Sequence, residues 1–284
     1  MKSFIKRAVK GFVSMSLLAN VFSVTALAQE QSFEGEKVNV GIMTGTSEDV
    51  WQVVVDKAKE EGIDLQLTTF TDYVQPNAAL QDGSLDLNAF QHIAFLDDWN
   101  EANKGDLEPI GFTFVSPMGL YSNKYTDIKD IPEGATIAIP NDPTNGGRAI
   151  LALEIAGLIK VDPSKGVLVT PEDVTDNPHD IKFEELDAAQ LAISLEDVDA
   201  AFINTNFATD AGLKLSEAIF VDAEQPEKLN EAYKNVIVAK EENKDNPLYL
   251  HIVSLYQTEE VAKAISETTN GADRPIWDGA PDVD

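Results

Sequence analysis

There is no cysteine anywhere in the 284 residues of this chain. That excludes disulfides, a thiolate nucleophile, Cys-ligated zinc and a lipid carried on a lipobox cysteine. Histidine is almost as scarce. His92, His179 and His251 are far apart, so a His-based metal centre has little to build on. His179 falls in a polar loop (DNPHD) and reads as solvated, whereas His251 sits in an apolar segment and reads as a core residue. The motifs of the common enzyme classes are missing too: no G-x-S-x-G elbow, P-loop, G-x-G-x-x-G, H-E-x-x-H or EF-hand loop. Basic residues are few, with 21 Lys and Arg against 49 Asp and Glu and a formal net charge of −28. Such a surface repels nucleic acid, whose binding depends on Lys and Arg neutralising phosphates. It also argues against an electrostatic hold on anionic lipid. Acidic pairs such as Asp97-Asp98 and Glu184-Glu185 read as solvated faces rather than acid/base dyads. Nothing here points to catalysis, a metal or a cofactor.

Long apolar runs are confined to the N-terminus. Lys2, Lys6, Arg7 and Lys10 form a basic start, Gly11–Val24 is mostly apolar, and Ala26-Leu27-Ala28 is a small-x-small cleavage pattern. This is the plan of a secretory signal peptide covering residues 1–28. The run is short for a span, which needs about 20 residues, and Ser14, Ser16, Asn20 and Ser23 interrupt it. The mature chain would begin at Gln29 and, without the leader's four basic residues, would be more acidic still. Its length suits one large domain or two ordinary ones.

Along the mature chain, strand and helix patterns alternate. Lys37–Met43 reads as a strand, Val50–Glu61 as a helix stopped by Gly62, and Ile63–Phe70 as a strand. A helix over Val74–Leu80, a strand over Leu85–Phe90 and a helix over His92–Asn103 follow. After Phe112–Tyr121 a second series begins: strand Ala135–Ile139, helix Arg148–Ala156, strand Val167–Val169, helix Glu184–Ile193 and strand Asp199–Ile203. Further strands at Phe220–Val221 and Val236–Ala239 lead to a final helix, Val253–Thr268. Alternation of this kind predicts an α/β fold with a parallel sheet. No repeat, low-complexity tract or Gly/Ser linker divides it.

In open α/β sheets ligands sit at the carboxyl ends of strands. Phe70–Tyr73, Phe90–His92 and Asn204–Asn206 fall at such ends, and so does the loop in IAIPNDPTNGGRAI (Ile137–Ile150). Pro140, Pro143, Gly146 and Gly147 read as turn residues, which places Arg148 at a helix start. A cation gains nothing from that end of a helix. With an anion added, free N–H groups and a guanidinium would converge on one carboxylate; the alternative is a surface arginine beside a turn. Phe70, Tyr73, Phe90 and Phe95 near strand ends, with Gln91 and His92 among them, fit either an apolar pocket or ordinary core.

Several segments resemble the NlpA/MetQ family of methionine-binding proteins of ABC importers. They are FTDYVQPNAALQDGSLDLNAFQHIAFL (Phe70–Leu96), VSPMGLYSNKY (Val115–Tyr125), IPNDPTNGGRAI (Ile139–Ile150), FINTNFA (Phe202–Ala208) and NVIVAKEENKDNP (Asn235–Pro247), in family order. The resemblance implies a two-lobed type II periplasmic-binding-protein fold with a ligand cleft between the lobes. One lobe would hold 37–115 with 232–284 and the other 116–231. It further implies that Arg148 grips the ligand carboxylate and that Asn206 and Asn235 bond its polar groups, the ammonium included. Tyr73, Phe90 and His92 would wall the side-chain pocket. Phe95 stands where the family usually has Tyr in FQHxPYL. The lost hydroxyl bears on selectivity between methionine and a derivative, a short peptide or another apolar amino acid. The implied partners are a membrane ABC permease and its ATPase, with the chain a monomer outside the cytoplasmic membrane. Most family members are lipoproteins; without cysteine this chain is expected to be released by ordinary signal cleavage. An enzyme or an adhesion or sensing protein on the same fold is the rival reading.

Overall fold

The computed structural model describes residues 32–223 and 229–281. The proposed leader, residues 1–28, lies outside them. Among the described residues no helix is long and apolar enough to cross a membrane.

The first series runs β1 (Lys37–Met43), α1 (Thr46–Glu60), β2 (Asp64–Phe70), α2 (Pro76–Gln81), β3 (Leu87–His92), α3 (Ile93–Asn103) and β4 (Leu107–Val115). Then come β5 (Met118–Tyr121), β6 (Thr136–Pro140), α4 (Pro143–Ile155), the short pair β7 (Lys160–Val161) and β8 (Val174–Asp176), and β9 (Lys182–Leu186). The chain continues through α5 (Leu191–Ser194), β10 (Ala200–Asn204), α6 (Thr205–Asp210) and β11 (Phe220–Val221). It ends with β12 (Lys234–Lys240), α7 (Pro247–Tyr256), α8 (Glu259–Thr268) and β13 (Arg274–Pro275).

Two main sheets result. One has six strands in the order β13-β4-β12-β3-β1-β2, the other five in the order β11-β5-β10-β6-β9. The expected parallel pairing holds at their centres, where β1 lies parallel to β2 and β3, and β6 parallel to β9 and β10. β12 and β5 run antiparallel to their neighbours, so both sheets are mixed. The chain passes from the larger sheet to the smaller between Val115 and Met118, and returns between β11 and β12.

Each sheet has its own core. Val40 and Ile42 of β1 pack with Val54 of α1, Ile252 of α7 and Ile265 of α8. Ile137 and Ile139 of β6 pack with Ile150 and Leu153 of α4 and Phe202 of β10. These side chains are 0 to 1 % exposed, so each contributes about 1.5–3 kcal/mol of transfer free energy.

The structure corrects several element assignments. The Glu-rich segment expected as a helix over Glu184–Ile193 begins as β9, paired with β6 from Thr136↔Lys182 to Pro140↔Leu186. Sheet pairing overrides the helix preference of two glutamates. Val167–Val169 is not a strand; its first two residues close a 3₁₀ stretch, Pro163–Leu168. The final helix is two helices, parted where the Gln257 side chain donates to the Phe112 carbonyl (2.9 Å) and Thr258 takes an extended N-cap conformation before Glu259 and Glu260. His251 is not a core residue: it lies half-exposed on α7, where its Nε2 meets Glu61 (2.5 Å).

The helix after β6 starts at Pro143, so Arg148 lies in its second turn rather than at its start. Gly146 and Gly147 are helical. A Cβ on Gly146 would lie 2.6 Å from the Pro140 carbonyl oxygen, and one on Gly147 would collide with the Val167 carbonyl. They therefore serve close backbone approach rather than a turn.

Candidate functional site

One cavity opens at the carboxyl ends of the central parallel strands. All seven residues singled out from the sequence line it: Tyr73, Phe90, His92, Phe95, Arg148, Asn206 and Asn235. Phe90 and His92 end β3, and Asn235 of β12 pairs with His92 in register. Tyr73 comes from the loop after β2, and Asn206 from the first turn of α6 beyond β10.

Its apolar wall is an aromatic cluster. The ring centroids of Tyr73 lie 6.0 Å from both Phe90 and Phe95, and Phe90 and Phe95 meet edge to face at 5.7 Å. Phe95 thus faces its neighbours as a plain ring, without a hydroxyl. Such a wall accepts an aliphatic chain or a thioether, whose sulfur is attracted to aromatic rings.

The polar side is built by buried hydrogen bonds. Asp142 is the N-cap of α4, and its carboxylate accepts from the Asn145 backbone N–H (2.9 Å), the Asn145 amide (3.0 Å to each oxygen) and the Thr144 hydroxyl (3.0 Å). Of the two alternatives for this helix N-terminus, an external anion or none, neither allowed for what is present, an internal carboxylate at the N-cap. Burial pushes the Asp142 carboxyl above its ordinary value, against the downward pull of these bonds. With its nitrogen committed to Asp142, Asn145 turns its oxygen towards Asn204 Nδ2 (2.9 Å) and His92 Nε2 (3.3 Å). His92 is the N-cap of α3, and its Nδ1 accepts from the Phe95 backbone N–H (3.1 Å). The remaining proton sits on Nε2, which donates to Asn145. Burial, reinforced by the Arg148 charge, holds His92 neutral, with its pKa pushed down to about 4.

Three buried side-chain atoms have no hydrogen-bond partner among the described residues: Asn204 Oδ1, Asn206 Nδ2 and Tyr233 Oη. Buried polar groups without partners are rare in folded proteins and each calls for an explanation. The Tyr73 hydroxyl donates to Asn206 Oδ1 at 2.6 Å, an O–H···O length, which leaves Asn206 Nδ2 as a donor on the cavity wall. Asn204, also on the wall, offers an acceptor. Asn206, expected to meet polar groups including an ammonium, thus presents a nitrogen to the cavity, and the unpartnered acceptor belongs to Asn204, which sequence reasoning did not select.

Arg148, one of three arginines in the chain, is 5 % exposed and already paired. Its Nε donates to Asp222 Oδ2 (2.6 Å) and its Nη2 to the Ser116 carbonyl (2.7 Å). The guanidinium stacks 4.5 Å from the centre of the Tyr233 ring. Asp222 also accepts from the Met118 backbone N–H (2.8 Å), so Arg148 and Asp222 together bind both ends of the first passage between the sheets. Asp222 and Tyr233 carry no local sequence signal, since they lie 74 and 85 positions beyond Arg148. Asp142 does carry one: an N-capping residue followed by proline at the first helical position. A second buried acid, Asp273, lines the cavity and accepts from the Ser116 hydroxyl (2.6 Å). Burial without a facing cation raises its pKa to about 7. Among the described residues no cluster of His, Cys, Asp or Glu could hold a metal ion.

Comparison with known proteins agrees with this architecture. The family model of the NlpA lipoproteins matches residues 38–277. The probable D-methionine-binding lipoprotein MetQ of Vibrio cholerae is 39 % identical over 96 % of this chain and 100 % of its own length. The D-methionine-binding lipoprotein MetQ of Escherichia coli is 38 % identical over 94 % of this chain and 98 % of its own. A nutrient-binding protein from Burkholderia cenocepacia, solved bound to methionine, superposes with a TM-score of 0.80 at 40 % identity, covering 84 % of this chain and 100 % of that one. With a family match spanning both sheets and the cavity between them, this chain belongs to the NlpA lipoprotein family.

Proposed function

We propose that this protein is an extracytoplasmic solute-binding protein that captures methionine, or a close derivative, and delivers it to an ABC transporter. The observation that carries this reading is the unpartnered pair at the cavity, an acceptor, Asn204 Oδ1, and a donor, Asn206 Nδ2, in a cavity that Arg148 and an aromatic wall also line. An ammonium satisfies the acceptor, a carboxylate satisfies the donor and the cation, and a thioether side chain lies along Tyr73, Phe90 and Phe95. The three groups together are an α-amino acid of the methionine type, as the names of the relatives suggest.

Under this reading the two sheets belong to two lobes, 37–115 with 232–284 and 116–231, joined by the two passages described above. The ligand bridges them, and its extra contacts in the closed state bias an open–closed equilibrium. No covalent step is required, and ATP hydrolysis belongs to a partner subunit. The proposed route out of the cytoplasm is the N-terminal signal. Because the chain has no cysteine, release after Ala28 without a lipid is the expected maturation, checked by the mass of the exported protein.

The first experiment is to unfold and refold the mature protein, stripping carried-over ligand, and to titrate it calorimetrically with L-methionine, D-methionine and Gly-Met. Tight one-to-one binding of one of them supports the reading and identifies the ligand. No heat from any of the three overturns the methionine assignment.

A further inference from the structure

We propose that Asp142, the N-cap of α4, is a positioning residue for the ligand: acting through Asn145, it turns the Asn204 amide so that oxygen rather than nitrogen faces the cavity. The inference rests on the reading of the cavity as an amino-acid site.

An asparagine amide has two ends of similar shape and opposite polarity, so an unassisted Asn204 could present either. Its orientation is inherited. Asp142 is an acceptor at both oxygens, and each lies 3.0 Å from the Asn145 amide nitrogen. Reversing Asn145 would set its oxygen against that carboxylate. It would also set its nitrogen against two donors, Asn204 Nδ2 and the protonated Nε2 of His92. The His92 proton is fixed independently, because Nδ1 already caps α3 by accepting from Phe95. Both lone pairs of Asn145 Oδ1 are thus engaged, and Asn204 must give its nitrogen to Asn145. What remains is Asn204 Oδ1, buried and without a partner among the described residues. A capping carboxylate that never reaches the cavity thereby selects for a ligand bearing N–H donors. Asn145 and Asn204 follow β6 and end β10 in one sheet, whereas His92 ends β3 in the other. The relay therefore also links the two sheets across the site.

The test uses two substitutions that keep the helix capped, Asp142→Asn and Asp142→Ser. The refolded mature protein and both variants are titrated with L-methionine and with 4-(methylthio)butanoate, which has hydrogen in place of the ammonium. Wild type should prefer methionine strongly. In the variants methionine should weaken about tenfold, on the scale of a hydrogen bond to a charged group, while the desamino analogue shifts much less, so discrimination narrows. Equal weakening of both ligands, or no change in their ratio, overturns the proposal. A second readout needs no ligand: hydrogen exchange of the Asn204 side-chain amide, slow in wild type and accelerated in both variants. If wild type binds no methionine, the amino-acid reading falls and this exchange decides the relay alone. Exchange that is fast in wild type, or unaltered in the variants, overturns it.

Discussion

Asp273 offers a direct test of the physics of the cavity wall. It is 6 % exposed, it accepts the Ser116 hydroxyl, and burial raises its pKa from 3.8 to about 7. Between pH 5 and pH 7 the unfolded chain carries this carboxyl ionised while the folded chain carries it protonated. The folded state then binds the extra proton, so stability falls as pH rises through that window. The slope is about 1.4 kcal/mol per pH unit, a loss of about 3 kcal/mol from pH 5 to pH 7, with no further change above the folded pKa. Asp273→Asn keeps an oxygen for Ser116 and cannot ionise. The variant should therefore gain stability on wild type by about 3 kcal/mol between pH 5 and pH 8, whatever the offset between them at pH 5. Urea unfolding of the ligand-free protein at pH 5, 6, 7 and 8 measures this, and taking the difference cancels every other titrating group, His92 included. A difference constant with pH would show that Asp273 is ionised throughout and that its burial has been compensated. A difference that shrinks as pH rises would reverse the sign of the reasoning.

Arg148→Ala should abolish tight ligand binding, and it should also destabilise the fold by about 3–5 kcal/mol by leaving Asp222, 4 % exposed, buried without its cation. Adding Asp222→Ala should recover much of that stability in urea unfolding without recovering binding; if the double variant binds normally, Arg148 does not hold the ligand. Phe95→Tyr restores a hydroxyl within an aromatic cluster on the cavity wall. It should change the ratio of affinities for methionine and Gly-Met while shifting the melting temperature little, and an unchanged ratio removes Phe95 from the determinants of selectivity. Gly45 has φ 81° and sits where an added Cβ would collide with the Asp210 carboxylate, which accepts from Thr46 N at the start of α1 (3.3 Å). In urea unfolding Gly45→Ala should cost at least about 1 kcal/mol from the backbone alone, since φ 81° with ψ −130° is a conformation essentially confined to glycine, and Asp210→Ala should relieve only the collision; full rescue by that second change would show that the backbone is unstrained.

The sequence reading and the structure agree where local chemistry decides and part where distant partners do. Alternating strands and helices, and the strand ends at Phe90–His92 and Asn204–Asn206, are written in periodicity and punctuation, and they lead to the same cavity. Gly146 and Gly147 mislead because glycine at a turn and glycine at a close packing contact look alike; only the Pro140 and Val167 carbonyls, brought near by folding, distinguish them. β9 misleads because a glutamate-rich edge strand takes its conformation from β6 rather than from itself.

The site shows the same division at the scale of single atoms. That Arg148 lies near a polar strand end is legible from IPNDPTNGGRAI; that its Nε is committed to Asp222, 74 positions away, is not. Residue identity places an asparagine at 206 and another at 204, but it cannot say which end of either amide a ligand meets. Tyr73 decides that for Asn206 by taking its oxygen, and Asn145, held by Asp142, decides it for Asn204 by taking its nitrogen. The two amides consequently present opposite polarity to one cavity, and an α-amino acid, with an ammonium and a carboxylate on one carbon, is a ligand that needs both. On the proposed reading, recognition resides as much in the hydrogen-bond partners that orient the two amides as in the amides themselves, and substitutions at Tyr73, Asp142 and Asn145 should alter which ligands bind.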